Sequence, residues 1–479
     1  MGRAAPICIA ILLAGCALDQ RISKPDLALP PTFEAPQAAG GGSAANLDHW
    51  WLLFHDAQLT NLIEQALQTS PDARSAFYRL AEARANRNEN LTTLLPTGDA
   101  KGTASRQHST QTYSNLNGIP AEFLPFLSAS AGYSTQYAAN FNVSWELDLY
   151  GKDYTAIKTA NANLAAQRFD YEATRMSLAA EVATDLFQAR GLAVQLDDAL
   201  ENQKLAQSLA DVARRKAEAG LSATADAART ESDAESAAAQ AAAIAAQLRG
   251  AQRSLLVLIG QGGAPSASLP ITADVPPPPP PPAVTPGSLL QRRPDVREAQ
   301  FNLIVAAGQL RLDKLALFPT LSLQPGLQFS KAVDSAYTSQ TQTTGLGLGL
   351  TVPILSLPKL LSEVRAQGAR GEQAVVAYEK SVQSACGDAE RALTTIEADG
   401  RRVKLLDSAT RRARFAFDAA NTGYGLGLTD LTTLIQAEQA WRQTRATYTS
   451  AEIAALVDTV ATFKALGGGW NASATRETR

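Results

Sequence analysis

The sequence predicts a mainly helical protein with some strand, built as a duplicated unit of helix, strand, strand and long helical hairpin. Three observations carry this. The two halves repeat one another, each half holds a stretch of strict period-two alternation, and each continues into a proline-free run far longer than an ordinary helix. Apolar residues are 45% and charged residues 19% of the 479, so a core can form and wholesale disorder is excluded.

The repeat is seen first at residues 67–97, LQTSPDARSAFYRLAEARANRNENLTTLLPT, against 290–320, LQRRPDVREAQFNLIVAAGQLRLDKLALFPT. They align without a gap at an offset of 223, pairing Pro71 with Pro294, Asp72 with Asp295, Arg74 with Arg297 and Pro96 with Pro319. Further on, an offset of 207 pairs Lys152 with Lys359, Asp211 with Asp418, Gly220 with Gly427 and Gly260 with Gly467. The 16 residues missing from the second copy are therefore lost between Thr320 and Lys359. The expected organisation is a signal peptide (1–15), an N-terminal tether (16–46), a first repeat (47–270), a proline-rich linker (271–287), a second repeat (288–470) and a tail (471–479). Seven consecutive prolines, Pro276–Pro282, make the linker a stiff polyproline II spacer.

Within each copy the first helix begins at a proline. Ser70-Pro71-Asp72 supplies an N-cap, an N1 proline and an acid at the positive helix end; the second copy has Arg293 in place of the cap. Pro96 and Pro319 close these helices. In 140–150, Phe141, Val143, Trp145, Leu147 and Leu149 alternate with polar residues. In 345–355, Leu346, Leu348, Leu350, Val352 and Ile354 alternate with glycine, threonine and proline. Partner strands fall near 97–107 and 320–330. Alternation of this length fits a transmembrane β-strand or a soluble sheet packed on one face. On the first reading Glu146 and Asp148 point into a barrel lumen.

No proline interrupts 126–264 or 359–479. A helix from Gly151 to Ala219 would be on the order of 100 Å long, with apolar positions at coiled-coil spacing (Leu178, Val182, Ala189, Leu192, Leu196). Alanine is frequent in these helices, eight of the eleven residues 236–246, which permits close approach and buries too little for a hairpin to stand alone. Four strands cannot close a membrane barrel, so the chain must oligomerise; two, three or four copies would satisfy the arithmetic.

Residues 1–15 carry Arg3 before a short apolar run and end in Leu13-Ala14-Gly15-Cys16, a bacterial lipobox pattern. Small residues abut the cysteine at the right distance from the apolar run, so this pattern is preferred to the alternative, an ordinary signal peptide with a chance cysteine. Removal of Arg3 takes the formal charge from −3 to −4. No later apolar run is long enough for a helical membrane span. The near balance of charge argues against a nucleic-acid partner. Only three histidines are present, at 49, 55 and 108, and no P-loop, Gly-x-Ser-x-Gly or metal-spaced cluster occurs, so no catalytic residue, metal or cofactor is expected.

Taken with the blocks HWWLLFHDAQLTNLIEQAL (49–67), WELDLYGK (145–152), LLQRRPDVREAQ (289–300), LALFPTLSL (315–323) and KALGGGW (464–470), the chain resembles the outer membrane efflux protein family of TolC-type outer membrane factors, in its lipoprotein branch. The resemblance implies a homotrimer that forms a 12-stranded outer membrane β-barrel continuous with a periplasmic α-helical barrel. It implies a passive exit duct in a tripartite efflux system, working with a periplasmic adaptor and an inner-membrane RND-type transporter. It implies cleavage before Cys16 and lipidation there, palmitate included. It also places the periplasmic tip at the helix turns 217–226 and 421–430, with Gly220, Tyr424 and Gly427 as adaptor contacts. Gly220 and Gly427 read equally well as helix-capping glycines. The family often carries an aspartate nine residues past the turn glycine; here that position is Gln436. Asp418 and Asp430 are nearby acids that could line a gate or simply face solvent. The competing reading is a lipid-anchored periplasmic coiled-coil scaffold without a pore.

Overall fold

The computed structural model describes residues 21–34, 47–109, 132–282, 284–334 and 337–470. Cys16, the signal peptide, most of the tether, residues 110–131 and the tail lie outside the described residues. A short 3-10 helix, Trp50–Phe54, precedes α1 (Ala57–Thr69) and α2 (Pro71–Thr92). Then come β1 (Thr97–Ser109), β2 (Gly132–Leu147), α3 (Lys152–Glu218) and α4 (Thr224–Leu258). The second copy consists of α5 (Pro286–Arg292), α6 (Pro294–Leu315), β3 (Thr320–Val333), β4 (Thr338–Thr351), α7 (Leu357–Gly425) and α8 (Leu431–Ala465). The copies match closely: α2 and α6 both have 22 residues, α4 and α8 both have 35, and α3 and α7 have 67 and 69. The length difference sits in the strand connections, residues 110–131 in one copy and 334–337 in the other.

The chain divides into two compact units. One comprises Ala83–Leu164 and Asn302–Val375 with residues 21–24; the other comprises the described parts of Pro25–Glu82, Ala165–Phe301 and Val376–Arg479. The first holds the sheet, four antiparallel strands in the order β1-β2-β3-β4 with β1 and β4 at its edges. All four boundaries of β2 and β4 depart from the alternating stretches, and β2 begins at Gly132, eight residues before Asn140. β2 ends at Leu147, because Asp148 turns its carboxylate to the start of α3 and Gly151 takes a positive φ of 75°. Lys152 N–H donates to Asp148 Oδ1 at 2.6 Å and Asp153 N–H donates to Oδ2 at 3.1 Å. β4 starts at Thr338 and stops at Thr351, ahead of Pro353, which has no N–H for a ladder.

The second unit holds the apolar core. Trp50 is fully buried and stacks on Phe463 at 5.5 Å; Phe54 meets Phe187 at 5.2 Å. Leu59, Ile63, Leu186, Leu255, Leu456 and Leu466 complete it. Burial of one such Trp stabilises by roughly 4–6 kcal/mol at the usual area coefficient. The Gly467-Gly468-Gly469 run is required by close backbone approach: a Cβ on Gly467 would lie 2.7 Å from the Arg292 carbonyl oxygen, and one on Gly468 would lie 2.9 Å from that of Leu47. Trp470 Nε1 donates to the Arg292 carbonyl at 2.8 Å.

Arg292 and Arg293 are not surface residues. Arg293 is buried, and its guanidinium donates to Asp295 at 3.0 and 2.6 Å and to the carbonyls of Ala385 and Ala465. Desolvation acts most strongly on it, but Asp295 and Asp388 outweigh that and hold its charge. Arg292 pairs with Asp48 at 2.7 Å. The position that lacks an N-cap serine is thus occupied by a guanidinium that clasps the acid two residues on.

Candidate channel face and tip

The sheet register sorts its side chains onto two faces. Ala100, Phe141 and Leu327 stand opposite one another across β1, β2 and β3. Leu323 likewise faces Trp145 on one side and Leu348 on the other. This face carries Tyr137, Phe141, Val143, Trp145, Leu321, Leu323, Leu327, Phe329, Leu346, Leu348 and Leu350. Tyr137, Phe141, Trp145 and Leu327 are exposed, as are Leu346, Leu348 and Leu350 at 73%, 71% and 68%, while Val143, Leu321, Leu323 and Phe329 are half-buried. The other face carries Asp99, Lys101, Asn140, Asn142, Glu146, Ser322, Gln324 and Gln328, with Gly345, Gly347 and Gly349. On β4 the apolar face stops at Leu346 and continues through Thr344 and Gln342.

An exposed apolar sheet face of this extent is unfavourable in water and natural in lipid. From Tyr137 to Leu147 the band spans eleven residues, ten steps of 3.3 Å or about 33 Å along the strand. At a strand tilt of ~40° that is roughly 25 Å along the membrane normal, the height of an outer-membrane barrel's apolar band. Trp145 donates its indole N–H to the Leu94 carbonyl at 3.2 Å, and Tyr133 stacks on His108 at 4.5 Å. These amphipathic rings lie at opposite ends of β2, where interfacial aromatics belong.

Of the two acids expected in the lumen, Glu146 is on the polar face and pairs with Lys152 at 2.9 Å. Asp148 lies past the last residue of β2, so the alternation does not reach it; it caps α3. Asp153, in the first turn of α3, has its carboxyl pushed up by burial first, then by Asp148 and Glu146, with Lys152 opposing.

The helix turns are built alike in both copies. Gly220 and Gly427 have φ of 74° and 73°. Gly220 N–H donates to Ala217 and Leu221 N–H donates to Lys216; in the second turn Gly427 donates to Tyr424 and Leu428 donates to Gly423. This is the paired closure of a Schellman motif, in which the left-handed residue is normally glycine. A Cβ at either position would meet nothing within 4 Å, so the constraint is backbone conformation alone. Leu221, Leu426 and Leu428 flank the turns, exposed at 78%, 70% and 78%. Tyr424 receives Lys216 Nζ at 3.2 Å from its hydroxyl, with the ammonium 5.3 Å from the ring centroid. This contact joins the first turn to the second.

The two aspartate gate candidates are each engaged within their own helix. Asp418 accepts from Arg414 at 3.1 Å, both half-exposed. Asp430 is the N-cap of α8 and accepts the Thr433 amide at 2.7 Å. Hydrogen bonds from the Thr433 side chain and then its backbone hold the Asp430 carboxyl low. Gln436 is exposed on the second turn of α8. Above them a small core forms from Phe417, Ala420, Leu434 and Trp441, with Phe417 and Trp441 stacked at 5.2 Å and Arg414 lying 4.4 Å over Trp441. Sequence reasoning missed the ties deeper in the hairpins. Arg445 pairs with Asp198 and lies 3.9 Å from Glu201; buried Arg190 pairs with Asp56 and donates to Gln58 at 3.0 Å. Each of these joins distant segments, and no local pattern marks them.

Four strands with one lipid-suited face, joined to two long helix pairs, define an outer-membrane channel protein of the sheet-and-hairpin type. The chain belongs to the outer membrane efflux protein family, whose model matches residues 62–261 and 285–468. It is similar to the pyoverdine export outer membrane protein OpmQ of Pseudomonas aeruginosa, 28% identical over 96% of this chain and 95% of OpmQ. It is 24% identical to the cation efflux system protein CusC of Escherichia coli, over 97% of this chain and 98% of CusC. Among solved structures, the outer-membrane channel OprN superposes with a TM-score of 0.74 at 25% identity, covering 94% of this chain and 99% of OprN. The Campylobacter jejuni CmeC channel superposes at 0.78 with 19% identity, over 95% and 96% of the two chains, a likeness of fold.

Proposed function

We propose that this outer membrane efflux protein is the passive exit duct of a tripartite efflux system. Three copies pair β4 of one chain with β1 of the next, closing 12 strands into a barrel with the apolar face in lipid and the polar face around water. The observation that carries this reading is the sheet itself: an exposed apolar band of membrane height ending in two open edges. In that assembly Glu146 lines the lumen, and α3 and α7, on the order of 100 Å long, form a helical barrel in the periplasm. Cys16 carries the lipid anchor. Solutes arrive from an inner-membrane RND-type pump through a periplasmic adaptor, and no chemistry occurs in the duct.

The adaptor contact is assigned to Gly220, Tyr424 and Gly427, supported by the exposed leucines around both turns. The gate is assigned to Asp418, Asp430 and Gln436. Asparagine caps helices as well as aspartate does, so Asp430→Asn removes charge while keeping the cap. Asp418→Asn/Asp430→Asn should weaken cation preference in single-channel recordings without loss of folded protein; unchanged preference removes both from the gate. The channel reading is tested by planar-bilayer conductance of the detergent-purified protein. Discrete steps are expected, and a folded helical protein that never conducts would return the anchored scaffold.

A further inference from the structure

Residues 21–34 form neither helix nor strand, yet the amides of Ser23, Asp26 and Glu34 are engaged. Ser23 donates its N–H to Glu372 Oε1 at 2.8 Å and its hydroxyl to Glu372 Oε2 at 2.6 Å. Asp26 N–H donates to Glu379 Oε1 at 2.7 Å, and Glu34 N–H donates to Glu390 Oε2 at 3.1 Å. All three acceptors belong to α7. An extended segment with no sheet partner must find acceptors for its amides elsewhere, and a carboxylate is the strongest on offer. Pro25, Pro30 and Pro31 keep this stretch from helix or central strand.

The geometry is matched. Positions 23, 26 and 34 meet 372, 379 and 390 in the same order, so segment and helix run parallel. Three extended residues advance about 10 Å, and seven helical residues advance about 10.5 Å. Seven residues is also close to two full turns, which leaves Glu372 and Glu379 on one face of α7. The chain then bends at residues 31, 32 and 34, which shortens its approach to Glu390. Apolar side chains face inward: Ile22, Leu27, Leu29 and Phe33 are half-buried, and Phe33 packs on the apolar core. Ile22 fills the space over Gly371, where a Cβ would lie 2.5 Å from Ile22 Cδ1. The Ser23 hydroxyl, then its amide, hold the Glu372 carboxyl below its usual range.

We propose that Glu372, Glu379 and Glu390 form a carboxylate rail on α7 that binds residues 21–34 in a single register, making this part of the N-terminal segment a fixed brace. The partner of the rail is the chain's own proline-rich leader segment, recognised through its backbone amides. This inference rests on contacts within the chain and stands apart from the channel reading.

The test is hydrogen exchange, read by mass spectrometry on the purified full-length mature protein. Residues 21–34 should be protected in the parent. Glu372→Ala/Glu379→Ala/Glu390→Ala should speed their exchange on the order of tenfold or more, with α7 still protected. Glu363→Ala, on the same helix and paired with Lys359, should leave the segment unchanged. Gly371→Leu displaces Ile22, keeps all three carboxylates and improves helix propensity; it should free residues 22–26 even if the triple variant fails to fold. Exchange in 21–34 that is as fast in the parent as in an unstructured peptide, or that neither variant changes, overturns the rail.

Discussion

Placing arginine at two adjacent positions of β2 separates the two faces of the sheet. Phe141 lies on the apolar face between Ala100 and Leu327, four residues from Tyr137 and six from Leu147, near the middle of the band. Asn142 lies on the polar face, opposite Asp99 and Gly326. Both side chains are exposed in the single chain, so a protein that stays in water would tolerate either change. In a bilayer, arginine at mid-depth costs about 2–4 kcal/mol per site, or roughly 6–12 kcal/mol across three copies. Asn142→Arg should be near neutral, because it projects into water beside an acid. The assay is urea-dependent folding into lipid vesicles, following the folded oligomer by its resistance to SDS at room temperature. Phe141→Arg should fold poorly or only at much lower urea, and Asn142→Arg should follow the parent. Equal behaviour of the two variants, or greater damage from Asn142→Arg, would refute the assignment of the faces.

Three further outcomes follow from named contacts. Gly220→Ala and Gly427→Ala should each lower stability by about 1–2 kcal/mol through left-handed backbone alone, read in thermal unfolding, with Asn at the same positions less harmful. Asp56→Ala should destabilise by about 3–5 kcal/mol, because it leaves the buried Arg190 guanidinium unpaired and uncaps α1; denaturant midpoints would report it. Asp399, facing Asp458 and Arg402, has its carboxyl pushed up to about 6 by burial first and then by Asp458. The folded state then binds more protons than the unfolded state between ~3.9 and about 6, so stability should fall as pH rises through that window. Asp399→Asn should flatten this part of the melting-temperature profile, and an unchanged slope would contradict the assignment.

Much of the architecture was legible because it is periodic. The repeat, the alternating strands and the proline-free hairpins are long-range regularities that single substitutions do not hide. The misplaced boundaries have local causes. Alternation continues through Leu149, but Asp148 leaves the strand because a helix N-terminus offers its carboxylate several amides. β4 was read from Gly345 because its earlier half, Thr338–Thr344, is polar on both faces and shows no period. At the turns the glycines were readable, and the structure shows them capping their helices. The burial of Arg293 was not readable, since two of its acceptors come from Ala385 and Ala465, far along the chain. The contacts of residues 21–34 were missed for a related reason: Ser23 and Glu372 are 349 residues apart.

In the proposed assembly this chain is one third of a closed barrel. Native mass spectrometry of the detergent-extracted protein counts the subunits directly. The account predicts three chains per particle, stable at concentrations where single chains would separate. A monomer or dimer that retains its helical signal would contradict it, because four or eight strands with this register would leave the β1 and β4 edges open to lipid or close a barrel too narrow for a duct.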